Sequence, residues 1–227
     1  MAYLYYAQIT IDPAKVLADQ TNFSVRISNT YDGTGGEPDI RTVANGGHVH
    51  NTANGGVSGT YTVPADFVFS PNTNGSAPYD FEIQEYNAAT GKIIAWVEVP
   101  AVSSTVPTTL YMVYGDVTIL VSQEDVNGTW EANFKGVWHL AEASGLLLDS
   151  TINGNDLTAV NNPTYGQAGK IGNCLLFNDA LNQYLERTAA VVTVHPVTLS
   201  CYVNPDDDTD HCFAMSLRDL SGVDQFS

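Results

Sequence analysis

Residues 79–100 read YDFEIQEYNAATGKIIAWVEVP. Two runs rich in Ile, Val, Tyr, Phe and Trp flank Asn87-Ala88-Ala89-Thr90-Gly91. β-branched and aromatic side chains suit a pleated surface, and a short polar loop ending in Gly between two such runs marks a hairpin. The expected strands are Tyr79–Tyr86 and Lys92–Val99. Side chains alternate across a strand, so Glu82 and Glu85 are expected on opposite faces.

The same pattern recurs outward from this hairpin. Further strands are expected at Leu4–Ile11, Phe23–Ser28, Thr60–Thr62, Phe67–Phe69, Thr108–Tyr114, Gly136–Leu140, Leu157–Ala159, Cys174–Phe177, Tyr184–Arg187, Val197–Val203 and Cys212–Leu217. Gly, Asn, Asp and Pro stand between them, and helical periodicity is nearly absent, which is the signature of a sandwich or barrel. Two segments interrupt the pattern. Thr30–Ser58 is rich in Gly, Asn and Thr and reads as an exposed excursion. Its His48 and His50, two apart on one strand face, read as polar loop residues, with a metal pair as the alternative. Ile119–Asn133 reads as a polar connector with a short helical turn around Ser122–Val126.

The chain has 227 residues, with 25 Asp and Glu against 8 Lys and Arg, for a formal charge of −17. That field repels phosphate backbones, so nucleic acid is not expected as a partner. No segment approaches the roughly 18 apolar residues a membrane helix requires, so membrane insertion is not expected either. The opening MAYLYYAQITID reads as a strand rather than a secretory leader. Cys174, Cys201 and Cys212 make an odd count that suits free thiols better than a disulfide framework. A pairing of Cys201 with Cys212 is the alternative.

Residues 134–159, FKGVWHLAEASGLLLDSTINGNDLTA, gather many small oxygen-bearing side chains. Asn and Asp tolerate left-handed backbone and bond neighbouring amides, and Gly154 is the residue freest to adopt positive φ, so 149–156 reads as a sharp corner. Calcium is the second reading, with Asp149, Asn153 and Asn155 as ligands and Asn178 and Asp179 brought near by the fold. No other cofactor is indicated. Asp206-Asp207-Asp208 and Asp210 read as a solvated hairpin tip. Trp138 is expected in packing or, alternatively, as a glycan platform, and His139 at a polar edge. No nucleophile elbow, zinc-protease helix or phosphate loop is present. No pair of facing carboxylates is assignable from spacing alone. The chain is therefore expected to be non-enzymatic.

NFSVRIS at 22–28, PDIR at 38–41, residues 79–100 and TTLYMVYGD at 108–116 resemble a bacterial and phage β-domain family of unknown function that precedes laminin-G-like modules. TWEANFKGVWHLAE at 129–142 resembles the exit from that domain. GVWHLAE at 136–142, LLLDSTINGNDLTA at 146–159, GKIGNCLLFNDALNQYLE at 169–186 and VTLSCYVNPDD at 197–207 resemble the opening strands of a concanavalin-A-like, laminin-G-type jelly roll. The resemblance implies an all-β chain with two β-sandwich or jelly-roll domains in tandem. These are residues 1–118, a connector at 119–135, and residues 136–227 as the N-terminal part of a jelly roll that is incomplete in this chain.

Fold does not name a function, because such modules serve in lectins, adhesins, enzymes and spacers. The expected function is a structural or attachment protein of a virion, a fibre, decoration or adhesin-type component, with other virion proteins or further copies of itself as partners. The alternatives are a carbohydrate-binding module of an extracellular or cell-surface protein, with cell-surface glycans as partners, and the non-catalytic part of a longer glycan-active enzyme. Tyr3, Tyr5 and Tyr6 are the expected docking residues, because aromatic rings with a polar tip are enriched at interfaces. Tyr3 and Tyr5 lie on one face of the first strand and Tyr6 on the other.

Overall fold

A computed structural model describes residues 3–34, 38–194, 196–205 and 214–216. The expected strand Cys212–Leu217, the Asp206–Asp210 cluster and Cys212 lie wholly or mostly outside the described residues. The described residues are all-β, with short 3₁₀ turns at Pro13–Lys15, Val43–Asn45 and Asp179–Leu181 and no α-helix. No helix among them is long and apolar enough to cross a membrane.

The strands are β1 (Tyr5–Ile11), β2 (Gln20–Asn29), β3 (Thr52–Gly55), β4 (Tyr61–Pro64), β5 (Phe67–Ser70), β6 (Phe81–Asn87), β7 (Lys92–Val102) and β8 (Thr108–Tyr114). They are followed by β9 (Thr158–Val160), β10 (Thr164–Ala168), β11 (Asn173–Leu176) and β12 (Tyr184–Glu186). β6 and β7 form the expected hairpin. Asn87 Oδ1 accepts the Ala89 and Thr90 amides, each at 3.0 Å, and Gly91 closes the loop onto Asn87 O at 2.9 Å. Gly91 sits at φ 63°, where a Cβ would be strained.

Two three-stranded antiparallel sheets face each other. The first runs β1-β8-β5 and the second β2-β7-β6. Alternation supplies their inner faces. Phe67, Phe69, Leu110 and Met112 point inward from the first, and Phe81, Ile83, Ile93, Ala95 and Val97 from the second. Phe81 meets Phe67 and Phe69 edge-on at 6.1 and 5.4 Å, so the aromatic contacts join the two sheets.

Glu82 and Glu85 do not lie on opposite faces. The β6–β7 register shifts between Ile83 and Glu85, which marks a β-bulge. Phe81, Ile83 and Tyr86 face the core. The extra residue turns Gln84 and Glu85 outward together, on the side that carries Glu82. Their contacts agree: Gln84 accepts from Trp96 Nε1 at 2.9 Å and Glu85 pairs with Lys92 Nζ at 2.7 Å, both partners being on the outer face of β7.

The Thr30–Ser58 segment is not a plain exposed excursion. Ile40 and Val49 are fully buried. Val49 N donates to Arg41 O at 3.0 Å, and β3 pairs with β4 from Thr52↔Pro64 to Gly55↔Tyr61. The expected turn at Ser122–Val126 is not helical. That segment is fastened by side chains instead: Glu124 Oε1 accepts Ile83 N at 2.6 Å, and its Oε2 accepts Gly56 N and Ser122 Oγ at 3.1 and 2.7 Å. Burial pushes the Glu124 carboxyl above the usual range, and repulsion from Glu82 adds to the rise.

After β8 the chain crosses the outer face of the second sheet. Ser24 Oγ donates to Thr129 O at 2.6 Å and Gln84 Nε2 to Ile171 O at 3.1 Å. Residues beyond 135 add two short ladders, β9 with β12 and β10 with β11. Among the described residues, Gly136–Leu140 and Val197–Val203, both expected as strands, join no ladder. Leu140 has φ 56°, which ends extended backbone, and along 137–139 a single backbone bond, Ser150 N to Val137 O at 2.9 Å, and side-chain bonds stand in place of a ladder.

Candidate functional site

Three places gather the residues singled out by the sequence. The first is the corner at 149–156. Asp149 is 5% exposed. Its Oδ1 accepts Val137 N and Thr151 N, each at 2.9 Å, and its Oδ2 accepts Thr151 Oγ1 and Asn155 N, each at 2.8 Å. Gly154 stands at φ 59°, as a sharp corner requires. Asn153 Nδ2 and Asn155 Nδ2 donate to Phe134 O and Lys135 O, and Trp138 Nε1 donates to Asn155 O at 2.8 Å. The corner is thus stitched to the preceding segment.

All four acceptor positions of the Asp149 carboxylate point at protein donors, so a cation there would have to displace them. Asn178 and Asp179 are engaged in local bonds. They bond the Ala180 amide in their own 3₁₀ turn, and Asn178 N donates to Gln183 Oε1 at 2.7 Å. Among the described residues no hydrogen bond joins them to the corner, and no three His, Cys, Asp or Glu side chains form a group that could hold a metal. His48 and His50 are also used separately. The His48 ring stacks on Tyr5 at 4.0 Å, and exposed His50 gives its backbone amide to Asp66 Oδ2 at 2.9 Å. Cys174 and Cys201 are free thiols.

The second place was missed from sequence. Glu82 is 1% exposed, on the outer face of β6. Trp130 Nε1 donates to its Oε2 at 2.9 Å, Ser150 Oγ to its Oε1 at 2.8 Å, and His139 Nε2 lies 3.0 Å from Oε2. His139 is therefore inside rather than at an edge, with its ring 5.9 Å from Trp96 and 6.0 Å from Trp130. The set contains acid, imidazole and hydroxyl, but in the wrong order for nucleophile activation. A triad places the imidazole between acid and hydroxyl; here both His139 and Ser150 turn to the carboxyl. The arrangement clamps 130–150 onto the second sheet. Its members are separated by 48, 57 and 68 positions, so no local spacing announces it.

The third place is the edge of the first sheet. Tyr3 and Tyr5 pack against the core. Tyr5 lies between His48 and Tyr114, whose centroid is 5.7 Å away. Burial pushes the Tyr3 phenol up to about 12, and repulsion from Asp116 and Asp66 adds to it. Tyr6 points outward, 58% exposed, and meets Tyr111 edge-on at 5.8 Å. Between β1 and β2 the sandwich opens as a shallow cleft of about 720 Å³, lined by Ile9, Ile27, Met112, Tyr5, Tyr31 and Asp39 among others. Arg41 holds Asp39 at 2.8 Å, well below the usual carboxylate range, and lies 4.4 Å over the Tyr31 ring.

Comparisons with family models, with curated proteins and with solved structures return no match to this chain.

Proposed function

We propose that the chain is a non-enzymatic structural and attachment component of a virion, presenting β-sandwich modules and docking through β1. The observation that carries this reading is Tyr6, a large aromatic left 58% exposed on a strand without a single charged residue. An exposed aromatic with a polar tip suits a protein interface. The sequence adds support through its resemblance to a bacterial and phage β-domain family of unknown function, followed by the opening strands of a laminin-G-type jelly roll. The test is mass spectrometry of purified particles combined with incorporation of Tyr6→Ala. Presence of the wild-type protein with reduced incorporation of the variant supports the reading. Absence of the wild-type protein from particles overturns it.

The cleft between β1 and β2 favours a second reading, a carbohydrate-binding module. It combines tyrosine rings with the polar groups of Asp39, Asn29 and Ser28, a mixture suited to sugar hydroxyls. Binding of a glycan panel to the wild-type chain, lost in Tyr31→Ala, would support this reading over the first.

A further inference from the structure

Five Asn-Gly pairs occur in the chain, at 45–46, 54–55, 74–75, 127–128 and 153–154. Glycine has no Cβ to shield its nitrogen, so in such a pair that nitrogen can attack the preceding carboxamide carbon. The fold restrains four of the five pairs. Asn45 Nδ2 donates to Thr42 Oγ1 at 2.7 Å, Asn153 Nδ2 to Phe134 O at 2.9 Å, and Asn74 Oδ1 accepts Ser76 N at 3.0 Å. The Gly46, Gly75 and Gly154 amides each donate to a backbone carbonyl, which is a poor proton acceptor. Asn54 stands opposite Thr62 in the β3–β4 ladder, and Gly55 behind it is buried. Ring closure turns the peptide plane, and a ladder resists that turn.

The pair at 127–128 differs in each respect. Asn127 is exposed in a turn, and among the described residues its carboxamide makes no hydrogen bond. Gly128 N donates to Asp125 Oδ1 at 2.8 Å. This acceptor is a side chain, so it can follow the nitrogen as the peptide turns, and it is a carboxylate, a group able to receive the proton. We propose that Asn127 is a self-modification site, at which the chain converts its own carboxamide to a carboxyl with Asp125 as the base. The Gly128 nitrogen bonds to Asn127 Cγ while its proton passes to Asp125. The Cγ–Nδ2 bond breaks, and Nδ2 takes that proton and leaves as ammonia. Water then opens the resulting succinimide at either carbonyl, giving aspartate or isoaspartate. The isoaspartyl product lengthens the main chain by one carbon between Asp125 and Trp130, next to the fastening bonds of Thr129 to Ser24 and Trp130 to Glu82. Both products set a further carboxylate beside Asp125, which already repels Asp80.

The experiment is peptide mapping by mass spectrometry on the full chain, incubated at neutral pH and sampled over time. Isoaspartate is read by enzymatic methyl transfer to the new carboxyl. The peptide holding 127–128 is expected to gain the carboxyl mass first, ahead of the other four pairs. In guanidinium chloride the five pairs are expected to react at comparable rates, which ties the ranking to the fold. Asn127→Gln is expected to abolish the early signal and leave the other four pairs as they were. Asp125→Asn keeps an acceptor for the Gly128 amide but no base, and is expected to slow the reaction at Asn127 by about tenfold or more. Far-UV circular dichroism confirms that both variants fold, and the ranking in wild type needs no variant. A folded chain in which another pair reacts first, or in which all five react together, overturns the site. A folded Asp125→Asn chain that reacts at the wild-type rate overturns the base. Neither result touches the docking or glycan readings, which rest on β1 and on the cleft.

Discussion

Ser150 Oγ stands 2.8 Å from Glu82 Oε1, although the two residues are 68 positions apart. The bond ties the 149–156 corner to the outer face of β6, and Trp130 and His139 meet the same carboxyl from two further points of the chain. Residues 119–157 are therefore fastened to the two-sheet sandwich at a buried polar node. Such a node is stabilising only while every member is satisfied.

Glu82→Ala should cost about 3–5 kcal/mol, because it strands the buried polar groups of Trp130, Ser150 and His139 together. Ser150→Ala removes one partner and should cost about 1–2 kcal/mol. Urea unfolding measures both. The double variant should cost clearly less than the sum, since the two residues share one bond. Strict additivity would show that Ser150 and Glu82 are not coupled.

Asp149 is the organising residue of the corner. Asp149→Ala leaves the Val137, Thr151 and Asn155 amides without their acceptor and should destabilise the chain by about 2–4 kcal/mol. Because the same oxygens are filled by protein donors, adding calcium or removing it with a chelator should move Tm by less than about 1 °C. A calcium-dependent rise of several degrees, abolished in Asp149→Ala, would reinstate a cation at this corner.

The β6–β7 hairpin was legible because pleat alternation and loop chemistry are both local. The bulge in β6 left a trace as well. Gln84 and Glu85 set two polar residues side by side before Tyr86, which breaks the alternation. β3 left almost none, since Thr-Ala-Asn-Gly lacks the bulky β-branched or aromatic residues that mark a strand, and its pairing with β4 comes from the fold. The edge assignment of His139 failed for another reason. Whether a histidine is buried depends on what covers it, and here Glu82 and two tryptophans come from distant segments. The corner at 149–156 was readable as a turn, whereas the proximity of Asn178 and Asp179 required tertiary placement that spacing does not encode.

Burial and acid repulsion predict an inverted pH response. The Glu98 carboxyl is raised by burial and by repulsion from Asp80 and Glu131, and the Asp80 carboxyl by burial and by Asp125. A carboxyl whose pKa is higher folded than unfolded binds more protons in the folded state between the two values. Stability then falls as pH rises through that window, which begins near the ordinary carboxylate value of about 4. Glu98→Gln should flatten this part of the profile. Because Glu98 is largely solvated, the gain at neutral pH should be only about 0.3–0.5 kcal/mol. Thermal melts across pH 4–7 read it. An unchanged slope would show that burial and repulsion do not raise the Glu98 carboxyl appreciably.

The tyrosines of the first strand should separate by face. Tyr5 lies between His48 and Tyr114, and Tyr3 rests over Gly75 with its phenol driven up by burial. Removing either ring opens space beside the core that the rigid sheet cannot close, so Tyr5→Ala should cost about 2–4 kcal/mol, with Tyr3→Ala close behind. Tyr6 gives up only an edge contact to Tyr111, and Tyr6→Ala should cost less than about 1 kcal/mol. That difference makes Tyr6→Ala the usable probe of docking, because a loss of partner binding in this variant cannot be ascribed to unfolding. Loss of binding in the Tyr3 and Tyr5 variants can be. Urea unfolding of the three single variants decides the matter. Equal costs at Tyr5 and Tyr6 would mean that the outer face of β1 is already covered in the folded chain, and Tyr6 would fall as the docking residue.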